Sequence, residues 1–210
     1  MIDFLLNFLP EKSNFLNLFS YLTTRTVLST LTGLMMVLFL GNTFIERIRS
    51  LQFQQSIGDR GPDSHKLKDG TPTMGGLLII GSVILSGFLW GDLTNKYLLI
   101  SIFCLFMFGL IGFVDDYNKV KQKNQEGMSG KSKIFWQFIC ACIISVVLYS
   151  TAENKMETSY IVPFFKDVVL DFGIWFIFIS IFIIIGSSNA VNLTDGLDGL
   201  AILPVIIITA

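Results

Sequence analysis

The side chains of this sequence that are best suited to chemistry are acids that follow apolar blocks. Asn192, Asp195 and Asp198 have the spacing i, i+3 and i+6, so on a helix they would form one polar stripe. Gly196 and Gly199 each follow one of these acids, where a missing side chain would let a ligand approach the backbone. Because a carboxylate at the mouth of a membrane helix is costly to desolvate, the stripe is a candidate functional site.

A second acidic pair, Asp115 and Asp116, follows another apolar block and is predicted to end the helix that this block forms. Neighbouring residues of a helix point about 100° apart, so the two carboxylates cannot do the same job. One can face a site while the other pairs with Lys119, three or four residues further on. A carboxylate near a membrane surface can take up a proton or bind Mg²⁺; the alternative is an ordinary solvated helix end.

A helix start with a cation beside it precedes the second apolar block. Pro72 favours the first turn of a helix, and Thr71 or Thr73 can cap it. The N–H groups at such an end attract anions, and Lys68 lies nearby. This helix start with Lys68 is therefore a candidate anion site; the alternative is a plain helix start whose small residues only pack.

The basic stretch 127–133 reads GMSGKSK and looks at first like a phosphate-binding P-loop. We reject that motif, because Gln125 stands where its first glycine is required and no strand precedes it. Lys131 and Lys133 remain candidate phosphate contacts, or they are ordinary cytoplasmic charges.

The elements that must position these residues are membrane helices. The chain is 52% hydrophobic and 15% charged with a mean hydropathy of +0.65, and a bilayer core of about 30 Å requires about 20 helical residues. We predict an all-α polytopic membrane bundle with five full transmembrane helices and a partial sixth. The full spans are residues 24–45, 73–90, 97–114, 134–149 and 172–191; the fourth, the shortest, could begin inside the preceding loop.

Loop charge predicts the orientation of a single membrane domain, residues 1–210. Loops 46–72 and 115–133 each hold five of the 15 basic residues, so they should be cytoplasmic and the N-terminus periplasmic. Every polar motif then lies at one membrane face. The net charge of −1 gives no reason to expect a nucleic-acid partner, and Cys104, Cys140 and Cys142 match neither a zinc pattern nor a disulfide framework.

Acids that recruit a hard cation and lysines that hold phosphate suit phosphoryl transfer at a membrane surface, with Mg²⁺ as cofactor. Several blocks also resemble the polyprenyl-phosphate N-acetylhexosamine-1-phosphate transferases, most closely their phospho-N-acetylmuramoyl-pentapeptide transferase branch. The blocks are residues 60–65 (RGPDSH), 70–76 (GTPTMGG), 112–117 (GFVDDY) and 190–201 (AVNLTDGLDGLA).

The resemblance implies a reaction in peptidoglycan biosynthesis. UDP-N-acetylmuramoyl-pentapeptide would give its phospho-sugar to undecaprenyl phosphate, forming lipid I and UMP with Mg²⁺. It also implies a ten-helix fold, usually a homodimer, in the bacterial cytoplasmic (inner) membrane with the active face towards the cytoplasm.

The resemblance implies roles by motif position. Asp115 and Asp116 match the family's catalytic aspartates, one of which deprotonates or orients the lipid phosphate, and which of them does so stays open. The substrate-binding matches are Asn192, Asp195 and Asp198, near the uridine and sugar, and Lys68, Thr73 and Lys133, which line the site. The paired aspartates are also candidate metal ligands.

Members of that family continue beyond residue 210, and their further part holds another aspartate that binds Mg²⁺ and a histidine-rich motif. The sixth apolar segment, from Leu200 to Ala210, is also about half of a span. We therefore expect that the chain is truncated and inactive by itself. Reading the gene past codon 210 would test the truncation.

Three other functions are compatible with parts of the pattern. The N-acetylglucosamine-1-phosphate transferase branch would perform the same chemistry on a smaller sugar. A transporter or channel would require acids at mid-membrane, whereas these cluster at one interface. An inert membrane fragment would bind neither substrate.

Overall fold

The computed structural model describes residues 16–50, 74–122, 127–162, 165, 169–194 and 200–209. The chain is divided into two compact units, residues 1–133 and 134–210. Helices dominate the described part of both, as expected for long runs of Leu, Ile, Phe and Val whose backbone groups must be satisfied within each segment.

The first unit consists mainly of helices in its described residues. A short 3-10 helix at Leu16–Ser20 precedes α1, which spans Leu22–Ser50. Helix α2 spans Gly76–Trp90, and α3 spans Lys96–Gln122. Basic residues occupy the last turns of α1 and α3, where they interact favourably with the negative end of the helix dipole.

Small and polar residues join α1 to α2. Gly33 leaves room for Ser86, whose hydroxyl would lie 3.6 Å from a Cβ at position 33. Trp90 Nε1 donates to Thr32 Oγ1 at 2.9 Å, and the Trp90 ring stacks on Phe19. Close approach through small residues is how helices associate in a bilayer, because apolar side chains gain nothing there by leaving lipid.

Helix α4, Gly130–Ser150, begins in the first unit and continues into the second. The second unit then has a 3-10 helix at Lys155–Thr158 and two short antiparallel strands, β1 (Ser159–Ile161) and β2 (Val169–Asp171), with Tyr160 opposite Leu170. Helices α5, Trp175–Thr194, and α6, Ile202–Thr209, follow.

Two polar contacts organise the second unit. The hydroxyls of Tyr160 and Ser180 lie 3.1 Å apart, which fixes the strand pair against α5. Gln137 of α4 is only 2% exposed, and its Oε1 accepts from Asn189 Nδ2 of α5 at 2.7 Å. The same Asn189 amide also donates to the Ile185 carbonyl at 2.9 Å. The buried glutamine oxygen is thereby satisfied by a side chain of the neighbouring helix.

Burial in this molecule is the reverse of that in a water-soluble protein. Phe39, Phe182 and Leu193 are more than two-thirds exposed, while Ser82 and Ser145 are buried. Among the described residues, four helices are long and apolar enough to cross a membrane, namely α1, α3, α4 and α5. Lipid is the solvent that such a surface fits, so the chain is a multi-pass membrane protein.

The structure confirms the predicted all-α polytopic membrane bundle and adds the β1–β2 pair. Helix α2 has 15 residues and begins at Gly76, not at residue 73, because Met74 adopts a φ of 73°, which a right-handed helix cannot contain. It is therefore shorter than the full span that we predicted. The fourth span does begin within the preceding loop, at Gly130.

The prediction that α3 ends at Asp115 and Asp116 is wrong. The helix continues to Gln122, so both acids lie in its second-last turn. Polar residues prolong the helix beyond the apolar block, and the i, i+4 pair of Asp115 and Lys119 stabilises that extension. The predicted loop 115–133 is correspondingly shorter, since residues up to Gln122 and from Gly130 onwards are helical.

Candidate functional site

Among the described residues of the first unit, Asp115 has a carboxylate that contacts a backbone N–H group and two ammonium groups. Its side chain is 11% exposed, and its Oδ1 accepts the backbone N–H of Met128 at 2.8 Å. Its Oδ2 lies 3.0 Å from Lys119 Nζ and 3.6 Å from Lys133 Nζ. Both carboxylate oxygens are thus engaged, and a buried charge of this kind is stable because its partners are charged or donate directly to it.

The segment after α3 brings Met128 and Lys133 to Asp115. Gly127 has a φ of 54°, in the left-handed region that glycine enters without penalty, and this turns the chain back towards α3. Ser129 then caps α4, since its Oγ accepts the Ser132 N–H at 3.3 Å. Lys133 follows in the first turns of α4, within reach of the acid.

Asp116 has a different environment, although it is the next residue. Its side chain is 36% exposed, and within the described part of the chain its carboxylate contacts only Lys119, at 3.2 Å through Oδ1. It lines a cavity of about 310 Å³ between α2 and α3. The other lining residues are apolar or glycine and include Leu77, Phe108 and Gly112. Asp116 is therefore the acid that a bound molecule can reach.

Lys119 forms ion pairs with both acids, which corrects the prediction that it would pair with only one of them. We predicted that one acid would face a site and the other would pair with Lys119; in the structure Lys119 contacts both, at 3.0 and 3.2 Å. Lys133 lies beside Asp115 as well. An ammonium group beside the accessible Asp116, with a second one beside the neighbouring Asp115, can hold a phosphate while the Asp116 carboxylate accepts its proton or orients it.

The described residues fit Mg²⁺ only in part. No group of three or more His, Cys, Asp or Glu side chains suited to a metal occurs among the residues whose structure is described. Asp115 does not fit as a ligand, because its oxygens already bear an N–H group and two ammonium groups. Asp116 fits as a single ligand, since Mg²⁺ commonly takes one or two carboxylates and completes its shell with water and phosphate oxygens.

The structure brings together three of the predicted site residues, Asp115, Asp116 and Lys133. Asn192 lies in the last turn of α5 in the second unit, where its side chain is exposed. Lys68, Thr73, Asp195 and Asp198 lie outside the described residues, so their predicted roles stay predictions.

Sequence reasoning missed two members of the site, Gly127 and Met128. Met128 acts through its backbone N–H, which side-chain identity does not reveal. Gly127 carried a signal, because a glycine two residues before a capping serine favours a sharp turn into a helix. The discarded P-loop comparison concerned these same residues, and their actual partner is a carboxylate rather than a phosphate.

Two family models match parts of the chain. Residues 98–210, more than half of the chain, match the family model described as "Glycosyl transferase family 4". Residues 68–80 match the "Phospho-N-acetylmuramoyl-pentapeptide-transferase signature 1". The first match contains Asp115, Asp116, Lys133 and the acidic stripe from Asn192, and the second contains Lys68 and Thr73. The chain therefore belongs to glycosyl transferase family 4.

Proposed function

We propose that this protein transfers phospho-N-acetylmuramoyl-pentapeptide from its UDP conjugate to undecaprenyl phosphate, giving lipid I and UMP. The family implies a phospho-sugar donor and a polyprenyl phosphate acceptor. The signature at residues 68–80 supports the muramoyl-pentapeptide branch over the N-acetylglucosamine branch. The observation that carries the proposal is one accessible carboxylate, Asp116, beside Lys119 on an apolar groove.

The acceptor phosphate is the natural occupant of the place beside Asp116. The head group of a polyprenyl phosphate is anionic, and its chain is apolar. Lys119 and Lys133 offset its charge, while the groove between α2 and α3 matches an apolar chain. A phosphate monoester has a second pKa of about 6, so near neutral pH a fraction of the lipid phosphate groups carries a proton that Asp116 can accept.

The proposed step exchanges one phosphorus–oxygen bond for another. An oxygen of the lipid phosphate attacks the sugar-linked β-phosphorus of the donor. The bond from that phosphorus to the bridging oxygen breaks, and the oxygen leaves with UMP. The sugar remains on its phosphorus, so the product is a lipid diphospho-sugar. Positioning and charge stabilisation supply most of the rate in such transfers.

Mg²⁺ is part of the proposal, and Asp116 is the described residue that would hold it. When bound, the ion would offset the charge that develops on the donor diphosphate. We further propose that the site opens to the cytoplasm of a bacterial inner membrane, because the basic loops are concentrated at that end of the helices.

A paired substrate assay tests the proposal. Membranes containing the complete gene product are given undecaprenyl phosphate, Mg²⁺ and either UDP-N-acetylmuramoyl-pentapeptide or UDP-N-acetylglucosamine, and UMP and lipid-linked sugar are measured. We expect lipid product from the first donor and at least about 100-fold less from the second, since a polar site rejects a donor that leaves its groups unpaired. Product from UDP-N-acetylglucosamine alone would move the protein to the other branch. No lipid product from either donor would refute the proposal.

A further inference from the structure

We propose that Gly127 and Met128 form a positioning clamp that fixes the Asp115 carboxylate and, through it, the Lys119 ammonium beside Asp116. This inference rests on the proposed function for its kinetic consequence but not for its structural one. The clamp is defined as these two residues, which we propose act only through other side chains. Its effect passes from Gly127 to Asp115, from Asp115 to Lys119, and from Lys119 to Asp116.

The first step is the contact of Gly127 with the ion pair. A Cβ at position 127 would lie 2.6 Å from Asp115 Oδ1, and 2.8 and 2.9 Å from the Cε and Cγ atoms of Lys119. Such separations lie below any that real Cβ atoms show, so only a residue without a Cβ lets the chain lie against both side chains. The φ of 54° is a second, independent requirement for glycine.

The second step is the hydrogen bond that this approach permits. With Gly127 against the carboxylate, the N–H of Met128 reaches Asp115 Oδ1 at 2.8 Å. That bond occupies one oxygen and leaves Oδ2 to the lysines. A backbone donor held by a helix cap does not rotate away, so it orients the carboxylate better than a flexible side chain would.

The third step is the position of Lys119. This side chain is 38% exposed, and an exposed lysine has many accessible rotamers. Asp115 Oδ2 at 3.0 Å restricts it to the conformation in which the same ammonium lies 3.2 Å from Asp116. If the clamp loosens, Asp115 turns, Lys119 gains freedom and the charge beside Asp116 is no longer fixed. The reaction loses positioning while donor binding is retained.

Three glycine variants in the complete gene product test the clamp. Gly127→Ala should lower kcat by about 100-fold with the KM for the UDP-sugar within about twofold, because misplacement by about 1 Å costs this much. Gly127→Asn accepts positive φ more readily but also carries a Cβ, so we expect the same loss. Gly130→Ala is the matched control, since a Cβ there meets nothing within 4 Å, and it should behave as the wild type.

Each alternative result overturns the inference in a defined way. Restored kcat in Gly127→Asn would show that backbone strain alone matters. A raised KM with normal kcat would assign Gly127 to donor binding. An unchanged kcat in Gly127→Ala would remove the clamp from the reaction.

Hydrogen exchange tests the contact without any substrate. In Asp115→Ala the Met128 amide should exchange about tenfold faster or more than in the wild type, as expected when a hydrogen bond to a charged group is lost. Amides in the middle of α3 should keep their protection. An unchanged rate at Met128 would refute the contact, even where Gly127 variants fail to accumulate. Because this measurement needs no turnover, its failure is distinct from failure of the proposed reaction.

Discussion

Asp115 and Asp116 are adjacent in the chain, and the structure gives them different surroundings because an α-helix turns about 100° per residue. Asp115 points to the segment after α3 and is held there by Met128, Lys119 and Lys133. Asp116 points to the groove against α2 and remains accessible. At the scale of the residue, one acid holds the site together, and we propose that the other meets the substrate.

Asparagine substitutions should separate these two roles. Asp116→Asn should lower kcat by about 100-fold or more with an unchanged Tm, because it removes a proton acceptor from an accessible position. Asp115→Asn should lower both kcat and Tm, since an amide cannot neutralise the two nearby ammonium groups of Lys119 and Lys133. Asp115→Asn should lower the free energy of unfolding by about 1–2 kcal/mol. This is less than the loss of a fully buried charged hydrogen bond would cost, because Lys119 is partly exposed to solvent.

Lipid I formation and thermal unfolding in detergent micelles measure the two effects of these substitutions. Asp92→Asn is the control, because Asp92 is a half-buried acid at the opposite end of α3 that accepts from Thr94 through Oδ1, an oxygen that asparagine retains. It should change neither quantity. If Asp116→Asn lowered the Tm as much as Asp115→Asn does, the division of roles would be wrong.

At the scale of the element, polar contacts between helices replace a large apolar core. In the second unit, Gln137 of α4 and Asn189 of α5 form a hydrogen bond of 2.7 Å, and Gln137 is buried. Lipid offers an amide no partner, so the buried Gln137 oxygen depends on Asn189, whereas the Asn189 amide also donates to the Ile185 carbonyl. The pair therefore fixes how α4 and α5 face each other more specifically than interchangeable apolar contacts could.

A double-mutant cycle tests this pair. Asn189→Leu should destabilise the protein by about 1–2 kcal/mol, because it leaves the buried Gln137 amide without its partner. Gln137→Leu should cost less, since the Asn189 amide still donates to the Ile185 carbonyl. The double variant should recover part of the loss, since both polar groups are then gone. Unfolding in increasing denaturing detergent measures the cycle, and Ser187→Leu on the exposed side of α5 is the control. Single variants as stable as the wild type would contradict the assigned contact.

At the scale of the whole molecule, the distribution of charge along the chain indicates its orientation. Helices α1 and α3 both end in basic residues, which suit a helix C-terminus and, by the positive-inside rule, a cytoplasmic loop. The segment between α4 and α5 carries Met156 and the β1–β2 pair and is expected on the opposite side. The candidate site would then open to the compartment that holds a UDP-sugar.

Cysteine labelling in intact cells of a bacterial host tests the orientation. Lys121→Cys should react with a membrane-impermeant maleimide only after permeabilisation, and Met156→Cys should react before it. Both positions are exposed, so access depends on the side of the membrane. The native cysteines, Cys104, Cys140 and Cys142, lie within helices, and the unmodified chain gives their background. The reverse pattern would overturn the predicted orientation.

The sequence by itself determined the membrane bundle and the family, because both depend on features that are local in the chain. Apolar blocks of about 20 residues predict spanning helices whatever their neighbours are. The motifs around Asp115 and Asp195 carried the family resemblance, which the match over residues 98–210 confirms. Helix limits were less accurate, since the end of α3 depends on the contact of Lys119 with Asp115 and the start of α2 on the backbone of Met74.

Only the tertiary structure decided which acid is held and which is accessible. That distinction depends on where the backbone of Gly127 and Met128 returns to α3. The side chains of these two residues give no indication of a contact with a carboxylate. The pairing of Gln137 with Asn189, 52 positions apart, was equally beyond sequence reasoning. Local patterns specify which side chains are present and how each helix forms, whereas the environment of a carboxylate is set by contacts between segments that are distant in the sequence.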